Sequence, residues 1–266
     1  MKIGIFDSGL GGLLIARAIR HSLPKYDYVY LGDTKRVPYG NRSHDAVYEF
    51  TKECVDYLFE KENCGLVILA CNTASARALG KLQKNYFAQN FPSDSRRRKI
   101  LGVLIPTAEE AAKFSRVGVL ATAGTVTSGS FPKEIGKINK KVKVFQNDAP
   151  LLVPLAEEGE KKLAEDFIKK YLRPILREEP KAIVLGCTHY PFFKKEIRRI
   201  TGGKVKIISQ DEIIPVRLQE YLRRHPEIRL SQNKTAKILV TDMTQNVKKL
   251  SAKWFGKKIK PRLIKI

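Results

Sequence analysis

The stretch AIVLGCTHYP at residues 182–191 decides the fold, and LVILACNTAS at residues 66–75 is a near-copy of it. Each is a short apolar run followed by a cysteine and by hydrogen-bonding residues. Runs of this kind, rich in Val, Ile and Leu and flanked by helical patterns, are typical of buried strands in a parallel sheet. Because ligands of open α/β sheets bind at the carboxyl ends of the strands, Cys71 and Cys187 are predicted to lie at functional edges.

Two further landmarks repeat along the chain. Asp7 closes the opening strand and precedes Cys71 by 64 residues, while Thr122 closes the run VGVLA and precedes Cys187 by 65. Matched landmarks at matched spacing indicate two related halves. The predicted fold class is therefore α/β, with two pseudo-symmetric, doubly wound, flavodoxin-like domains and an active site in the cleft between them. The predicted first domain is residues 1–97 plus 209–266, and the second is residues 98–208.

Local patterns give several element predictions. Cys54 lies on the apolar face of a predicted helix over residues 43–60 and is interpreted as a core residue. The other predictions are a helix over 74–88, a linker over 91–99, a strand over 100–106 and a turn over 150–160.

The composition is strongly basic, with a formal net charge of +23. Its basic runs are scattered and are not interleaved with aromatic residues, so a nucleic-acid partner is not expected. No apolar stretch is long enough to cross a bilayer, and no secretory signal opens the chain, so a cytoplasmic protein without a membrane partner is expected. The four cysteines lack zinc-type spacing; they are interpreted as free thiols, and no metal site is predicted.

Two thiols facing one ligand permit a specific reaction. A thiolate can remove a proton from carbon while a thiol on the opposite face returns one, which inverts a stereocentre without a cofactor. A helix N-terminus after each strand is expected to lower the pKa of the thiol there. Residues that could assist the thiols are Asp7, Ser8 and His189. Hydroxyl and amide groups that could hold the carboxylates of a small ligand belong to Asn72, Thr73, Thr122, Thr125 and Thr188.

Several of these motifs together resemble the glutamate racemases of the aspartate/glutamate racemase superfamily. The motifs, in the family's order, are IGIFDSGLGGL at 3–13, GDTKRVPYG at 32–40, ACNTAS at 70–75, GVLATAGTVTSG at 118–129, VPLAEEG at 153–159 and LGCTHYP at 185–191. The resemblance implies interconversion of L- and D-glutamate without a cofactor, as a supply of D-glutamate for bacterial peptidoglycan. It also implies a homodimer.

The resemblance further implies a role for individual residues. Cys71 would act on the D-enantiomer with help from Asp7, and Cys187 would act on the L-enantiomer with help from His189 and Glu157. The substrate site would be lined by Ser8, Pro38, Tyr39, Gly40, Asn72, Thr73, Thr125 and Thr188, with Asp33 close by.

Three alternatives stay open from the sequence. The first is a racemase for aspartate or another small acid, because two thiols define the chemistry better than the length of the substrate. The second is a nucleic-acid-binding module, which predicts a steeply salt-dependent affinity. The third is a redox dithiol protein, which requires the two Cα atoms to be within about 7 Å of each other.

Overall fold

The structure is a computed structural model that describes residues 1–90 and 98–266. Most of the predicted linker, residues 91–97, lies outside the described residues. The described chain forms two parallel sheets with helices packed on both faces of each. This is the α/β class that the sequence predicts.

The first sheet has six strands in the order β10-β9-β2-β1-β3-β4, and each neighbouring pair is parallel. Its strands are β1 (Lys2–Asp7), β2 (Tyr28–Gly32), β3 (Cys64–Leu69), β4 (Lys99–Gly102), β9 (Ala236–Val240) and β10 (Pro261–Leu263). The last two strands come from the carboxyl-terminal part of the chain, which therefore returns to the first half as predicted.

The second sheet has four parallel strands in the order β6-β5-β7-β8. Its strands are β5 (Arg116–Ala121), β6 (Lys143–Asp148), β7 (Ala182–Gly186) and β8 (Lys206–Ile208). Numbered within each half, both sheets contain the order 2-1-3-4 that defines a flavodoxin-like sheet. The two halves are thus pseudo-symmetric, and the first half carries two additional strands at the β2 edge.

The described ranges contain twelve α-helices, most of which connect successive parallel strands. They are α1 (Gly12–Ser22), α2 (His44–Glu60), α3 (Asn72–Arg77), α4 (Leu79–Asn90), α5 (Leu104–Ala111), α6 (Ala123–Thr127), α7 (Ser130–Ile138), α8 (Leu152–Glu158), α9 (Lys161–Leu176), α10 (Lys194–Ile200), α11 (Gln210–Arg224) and α12 (Gln245–Trp254). Short 3-10 helices span Tyr39–Asn41 and Tyr190–Phe193. Across the described ranges, none of the helices is long and apolar enough to span a bilayer.

The alternation of side chains along the strands explains why both faces of each sheet are covered. In β3, Leu66 and Ile68 face one core cluster, while Val67 and Leu69 face the cluster on the other side. All six residues of β3 are buried. A strand buried on both faces needs a continuous apolar run, which is the pattern the sequence showed.

The domain boundary predicted at residue 98 differs from the observed sheet pairing. The structure pairs β4 with β3, in register from Leu66 and Lys99 onward, so β4 belongs to the six-stranded sheet. β4 is the fourth strand of the first half and corresponds to β8 of the second. The break between the halves therefore falls after β4.

One predicted strand is shorter than expected and one predicted turn is a helix, for the same physical reason. The strand predicted over 100–106 ends at Gly102, and the turn predicted over 150–160 contains α8. Pro106 and Pro154 each occupy the third position of a helix, α5 and α8 respectively. Backbone N–H groups in a first turn have no intrahelical partner, so proline costs little there and does not stop the helix. The helix predicted over 74–88 is divided at Ala78 into α3 and α4.

Candidate functional site

Cys71 and Cys187 occupy equivalent positions in the two halves. Cys71 follows β3 and caps the N-terminus of α3, and Cys187 follows β7. Each thiol residue is only 6% exposed, and both line one cavity of about 340 Å³. Cys54 and Cys64 lie elsewhere in the core of the first half, and all four cysteines are free. The position predicted for Cys54 is therefore confirmed.

The surroundings of Cys71 hold its thiol in the protonated form. Its Sγ donates a hydrogen bond to Ser8 Oγ at 3.4 Å. Burial and the nearby charge of Asp7 raise the pKa of Cys71 to about 12. The sequence predicted a lowered pKa from the start of the helix. Burial of the thiolate outweighs that effect, since an enclosed charge loses its solvation.

Cys187 lies beside a histidine that is tied to a carboxylate. His189 Nδ1 is 3.8 Å from Cys187 Sγ, and His189 Nε2 is 3.0 Å from Glu157 Oε1. Burial lowers the pKa of His189, but its hydrogen bonds to Cys187 and Glu157 outweigh burial and raise the pKa to about 10. The imidazole is therefore an imidazolium at neutral pH, and it lies between the Cys187 sulfur and the Glu157 carboxylate.

Helix α8 brings Glu157 to this position. Glu157 lies in its last turn, and the helix ends at Gly159, whose φ of +84° is in the left-handed region that favours glycine. At the start of α8, Pro150, Val153 and Pro154 line the cavity as well. These three residues were missed because the segment was predicted to be a turn.

Asp7 is fully buried at the end of β1 and does not line the cavity. Its carboxylate accepts a hydrogen bond from the Gly9 backbone N–H at 3.1 Å and another from the Thr188 hydroxyl at 3.4 Å. Burial raises the pKa of Asp7, while the charge of His189 opposes the rise. Asp7 therefore lies directly beneath the cavity floor, in electrostatic contact with the groups around both thiols.

Three threonines join the two halves on another side of the cavity. Thr73 Oγ1 is 3.0 Å from Thr122 Oγ1 and 3.4 Å from Thr125 Oγ1, and the latter two oxygens are 3.1 Å apart. Thr73 and Thr122 line the cavity, whereas Thr125 is fully buried behind them. The backbone also approaches closely here, because a Cβ added to Gly124 would lie 2.7 Å from the Gly40 carbonyl oxygen.

Asp33 supports the cavity wall from beneath rather than facing the cavity. Its fully buried carboxylate accepts hydrogen bonds from Tyr39 Oη at 2.5 Å, Arg36 Nε at 2.6 Å and Thr241 Oγ1 at 2.8 Å. Tyr39 lines the cavity together with its neighbours Pro38 and Gly40. Asp33 thus anchors the loop whose residues form this wall.

Asn72 is held by a residue that sequence reasoning missed. Asn72 Nδ2 donates to Gln210 Oε1 at 2.8 Å, and Gln210 Nε2 donates back to Asn72 Oδ1 at 2.6 Å. Gln210 is fully buried at the start of α11. No local pattern could have indicated this pair, because 138 residues separate its members.

Most of the predicted site residues therefore share one cavity. The predicted residues that line it are Cys71, Cys187, His189, Glu157, Ser8, Pro38, Tyr39, Gly40, Asn72, Thr73, Thr122 and Thr188. Asp7, Asp33 and Thr125 lie beneath its lining. Gly9, Val37, Asn41 and Ala123 complete the lining without having been predicted. Within the ranges that the structure describes, no cluster of three or more His, Cys, Asp or Glu residues could hold a metal ion.

Fold and cavity together define a class of protein: paired flavodoxin-like halves that each contribute a cysteine, from the same strand end, to a shared cavity. Comparison with known proteins identifies that class. Residues 14–213 match the Asp/Glu/Hydantoin racemase family. The glutamate racemase of Aquifex aeolicus is 35% identical over 268 residues, covering 99% of this chain and 97% of that protein.

Solved structures agree with this match. A glutamate racemase isoform from Bacillus anthracis has a TM-score of 0.88 at 31% identity, covering 100% of this chain and 97% of that one. The glutamate racemase of Francisella tularensis in complex with D-glutamate has a TM-score of 0.87 at 28% identity, covering 99% and 97%. The chain belongs to the Asp/Glu/Hydantoin racemase family and, within it, to the glutamate racemases.

Proposed function

We propose that this enzyme inverts the α-carbon of glutamate with Cys71 and Cys187 as its two acid–base groups and without a cofactor. The observation that carries the proposal is the presence of both thiols, from equivalent strand ends, on one cavity. Known relatives are glutamate racemases, and one solved neighbour contains D-glutamate. A cavity of about 340 Å³ can hold an amino acid of that size.

From L-glutamate, the proposed reaction begins at Cys187. Its thiolate takes the α-proton, and the electron pair of the broken C–H bond moves into the adjacent carboxylate. The thiol of Cys71 then donates its proton to the opposite face of the α-carbon, which yields D-glutamate, a Cys187 thiol and a Cys71 thiolate. The raised pKa of Cys71 keeps its thiol protonated in the free enzyme and so suits it to this donating role.

The remaining site residues are proposed to support these transfers. The imidazolium of His189, fixed by Glu157, balances the negative charge of a thiolate at Cys187. Asn72 and Thr73 offer neutral hydrogen-bond donors for the two carboxylates. In the reverse direction Cys71 must first release its proton to solvent, which reaches the thiol through its 6% exposed surface. The ammonium group of a bound substrate assists this loss, because a nearby positive charge favours the thiolate.

The proposal extends to the role of the reaction and to the state of the protein. D-glutamate would supply peptidoglycan synthesis, and the reaction would take place in the cytoplasm, because the chemistry requires reduced thiols. The protein would act as a homodimer. Sedimentation equilibrium of the purified protein tests the dimer.

Isotope exchange in heavy water tests the chemistry. L- and D-glutamate are incubated without added cofactor with the wild type, Cys71→Ser, Cys187→Ser and the control Cys64→Ala, which changes a buried thiol outside the cavity. The wild type and the control should racemise both enantiomers and incorporate solvent deuterium at the α-carbon. Each serine variant should lose racemisation by a factor on the order of 10³. Residual exchange should be confined to L-glutamate for Cys71→Ser and to D-glutamate for Cys187→Ser.

Other outcomes would contradict separate parts of the proposal. Racemisation that survives in either serine variant would rule out the two-thiol mechanism. Turnover of aspartate in place of glutamate would refute the substrate and leave the mechanism standing.

A further inference from the structure

The last helix of the chain touches the histidine beside Cys187. Trp254, the final residue of α12, is 2% exposed. Its ring centroid is 5.7 Å from that of His189, with the two planes at 79°, which is an edge-to-face contact. Helix α12 follows β9 of the six-stranded sheet, whereas His189 follows β7 of the other sheet. The contact therefore spans the two halves.

The indole contacts aromatic rings of the other half. Its Nε1 is buried and has no hydrogen-bond partner among the residues that the structure describes. The indole also contacts Phe192, whose ring centroid lies 6.3 Å away with the two planes at 51°.

The orientation of the His189 imidazole depends on more than its two hydrogen-bond contacts. Its two nitrogens point to Cys187 Sγ at 3.8 Å and to Glu157 Oε1 at 3.0 Å, and both contacts lie near the edge of the ring. The Glu157 side chain is 33% exposed, so one of these two contacts is made to a partly solvated carboxylate. An aromatic ring packed against the imidazole restricts the rotation that two contacts at the ring edge leave open.

We propose that Trp254 is a positioning residue for His189, and that its indole holds the imidazole with one nitrogen at Cys187 and the other at Glu157. The role in catalysis rests on the proposed function, because it acts through the group that assists Cys187. Charged and titratable groups that face the imidazole are Cys187 and Glu157, through hydrogen bonds, and Asp7, through its nearby charge. Trp254 is uncharged, so its effect on His189 is to fix the orientation of the imidazole.

The sequence provides a direct spectroscopic test, because Trp254 is its single tryptophan. An imidazolium in contact with an indole quenches its fluorescence more strongly than a neutral imidazole does. The emission of the substrate-free wild type should therefore rise as the pH increases through the alkaline range in which His189 loses its proton. The rise should be absent in His189→Gln. Emission that titrates equally in both proteins, or in neither, would overturn the ring contact.

Kinetics test the positioning role. Trp254→Ala should lower kcat by roughly ten- to a hundredfold, the loss that a misplaced catalytic group produces, with little change in KM. Trp254→Phe should restore most of the activity, because it keeps a ring at the site. The matched control is Phe255→Ala, which removes a neighbouring buried ring that packs near Arg20.

The outcomes separate this inference from the proposed function. A loss of kcat in Trp254→Ala no larger than in Phe255→Ala would overturn the positioning role. An identical pH profile of kcat in Trp254→Ala and the wild type would also overturn the positioning role. The fluorescence titration requires no turnover, so it tests the ring contact even if the two-thiol mechanism fails.

Discussion

Asp7 of the first half accepts a hydrogen bond from Thr188, the residue that directly follows the cysteine of the second half, at 3.4 Å. The carboxylate is fully buried, and the charge of His189 acts on it as well. The groups around the two thiols are therefore not independent. A change beside Cys187 alters the electrostatics beneath Cys71.

Removing this hydrogen bond should change the pH dependence of catalysis. The Thr188 hydroxyl lowers the pKa of Asp7, whose burial has already raised it. Thr188→Val should raise that pKa further, so the acidic limb of the kcat/KM profile should move to higher pH. The value of kcat/KM at its optimum should fall by roughly tenfold, the equivalent of one lost hydrogen bond to a charged group. Thr188→Ser, which keeps the hydroxyl, should behave like the wild type; an unmoved acidic limb in Thr188→Val would disprove the coupling.

The paired amides of Asn72 and Gln210 should matter for both binding and stability. Gln210→Leu removes both hydrogen bonds that hold the Asn72 amide, which can then rotate away from the cavity. We expect KM to rise and the free energy of unfolding to fall by about 1–3 kcal/mol, the cost of buried groups left unpaired. Urea denaturation and steady-state kinetics measure these quantities. The exposed Gln219→Leu, on the same helix, is the control and should change neither; unchanged values in Gln210→Leu would show that the pair is dispensable.

The Asp33→Asn variant distinguishes between two roles for the Asp33 carboxylate, which are anchoring the Tyr39 loop and binding the substrate directly. If Asp33 anchors the Tyr39 loop, the substitution leaves Arg36 without its buried partner. Arg36 keeps its ion pair with Glu53, so the free energy of unfolding should then fall by about 2 kcal/mol, the cost of lost hydrogen bonds to a charged group, together with a higher KM. Tyr39→Phe should cost only about 1 kcal/mol, because it removes a single hydrogen bond. A direct role in substrate binding would instead raise KM without any loss of stability.

The folded protein should lose stability as the pH rises above neutrality. Burial raises the pKa of Cys71 and of Cys64 to about 12, whereas a thiol in an unfolded chain has a pKa of about 8.5. Between these values the unfolded chain releases protons that the folded chain keeps, so the free energy of unfolding decreases with pH. His189 acts in the same direction from about pH 6.5 upward, the pKa of histidine in an unfolded chain.

Urea denaturation at several pH values between neutrality and the alkaline range measures this effect. The midpoint should fall steadily for the wild type and less steeply for Cys64→Ala, which removes one of the titrating groups away from the cavity. A midpoint that stays constant or rises with pH would contradict the buried, protonated state of these thiols.

The sequence predicted the parts of the site that follow strands. Strand ends are readable from apolar runs, so the positions of Asp7, Cys71, Thr122 and Cys187 could be located, together with the residues next to them. The matched order of the two sheets agrees with the repeat that those landmarks indicated.

The parts that were missed depend on contacts distant in sequence or on context. Gln210 and Trp254 act on Asn72 and His189 from segments far along the chain, and no local pattern encodes such pairs. The state of the Cys71 thiol depends on burial, which a capping position alone does not reveal. The segment of α8 was predicted to be a turn and the start of α5 to be strand, although each helix has its proline at the third position, where a first turn accepts it.

The way the six-stranded sheet is completed has a consequence for biosynthesis on the ribosome. Strands β9 and β10 follow the whole second half in sequence, and β9 pairs with β2. As the polypeptide emerges, the four-stranded half is fully synthesised before β9, the strand that pairs with β2 at the edge of the other sheet. The nascent chain therefore has an unpaired strand edge at β2 until residues 236–240 leave the exit tunnel. Trp254, which contacts His189, is synthesised after those residues.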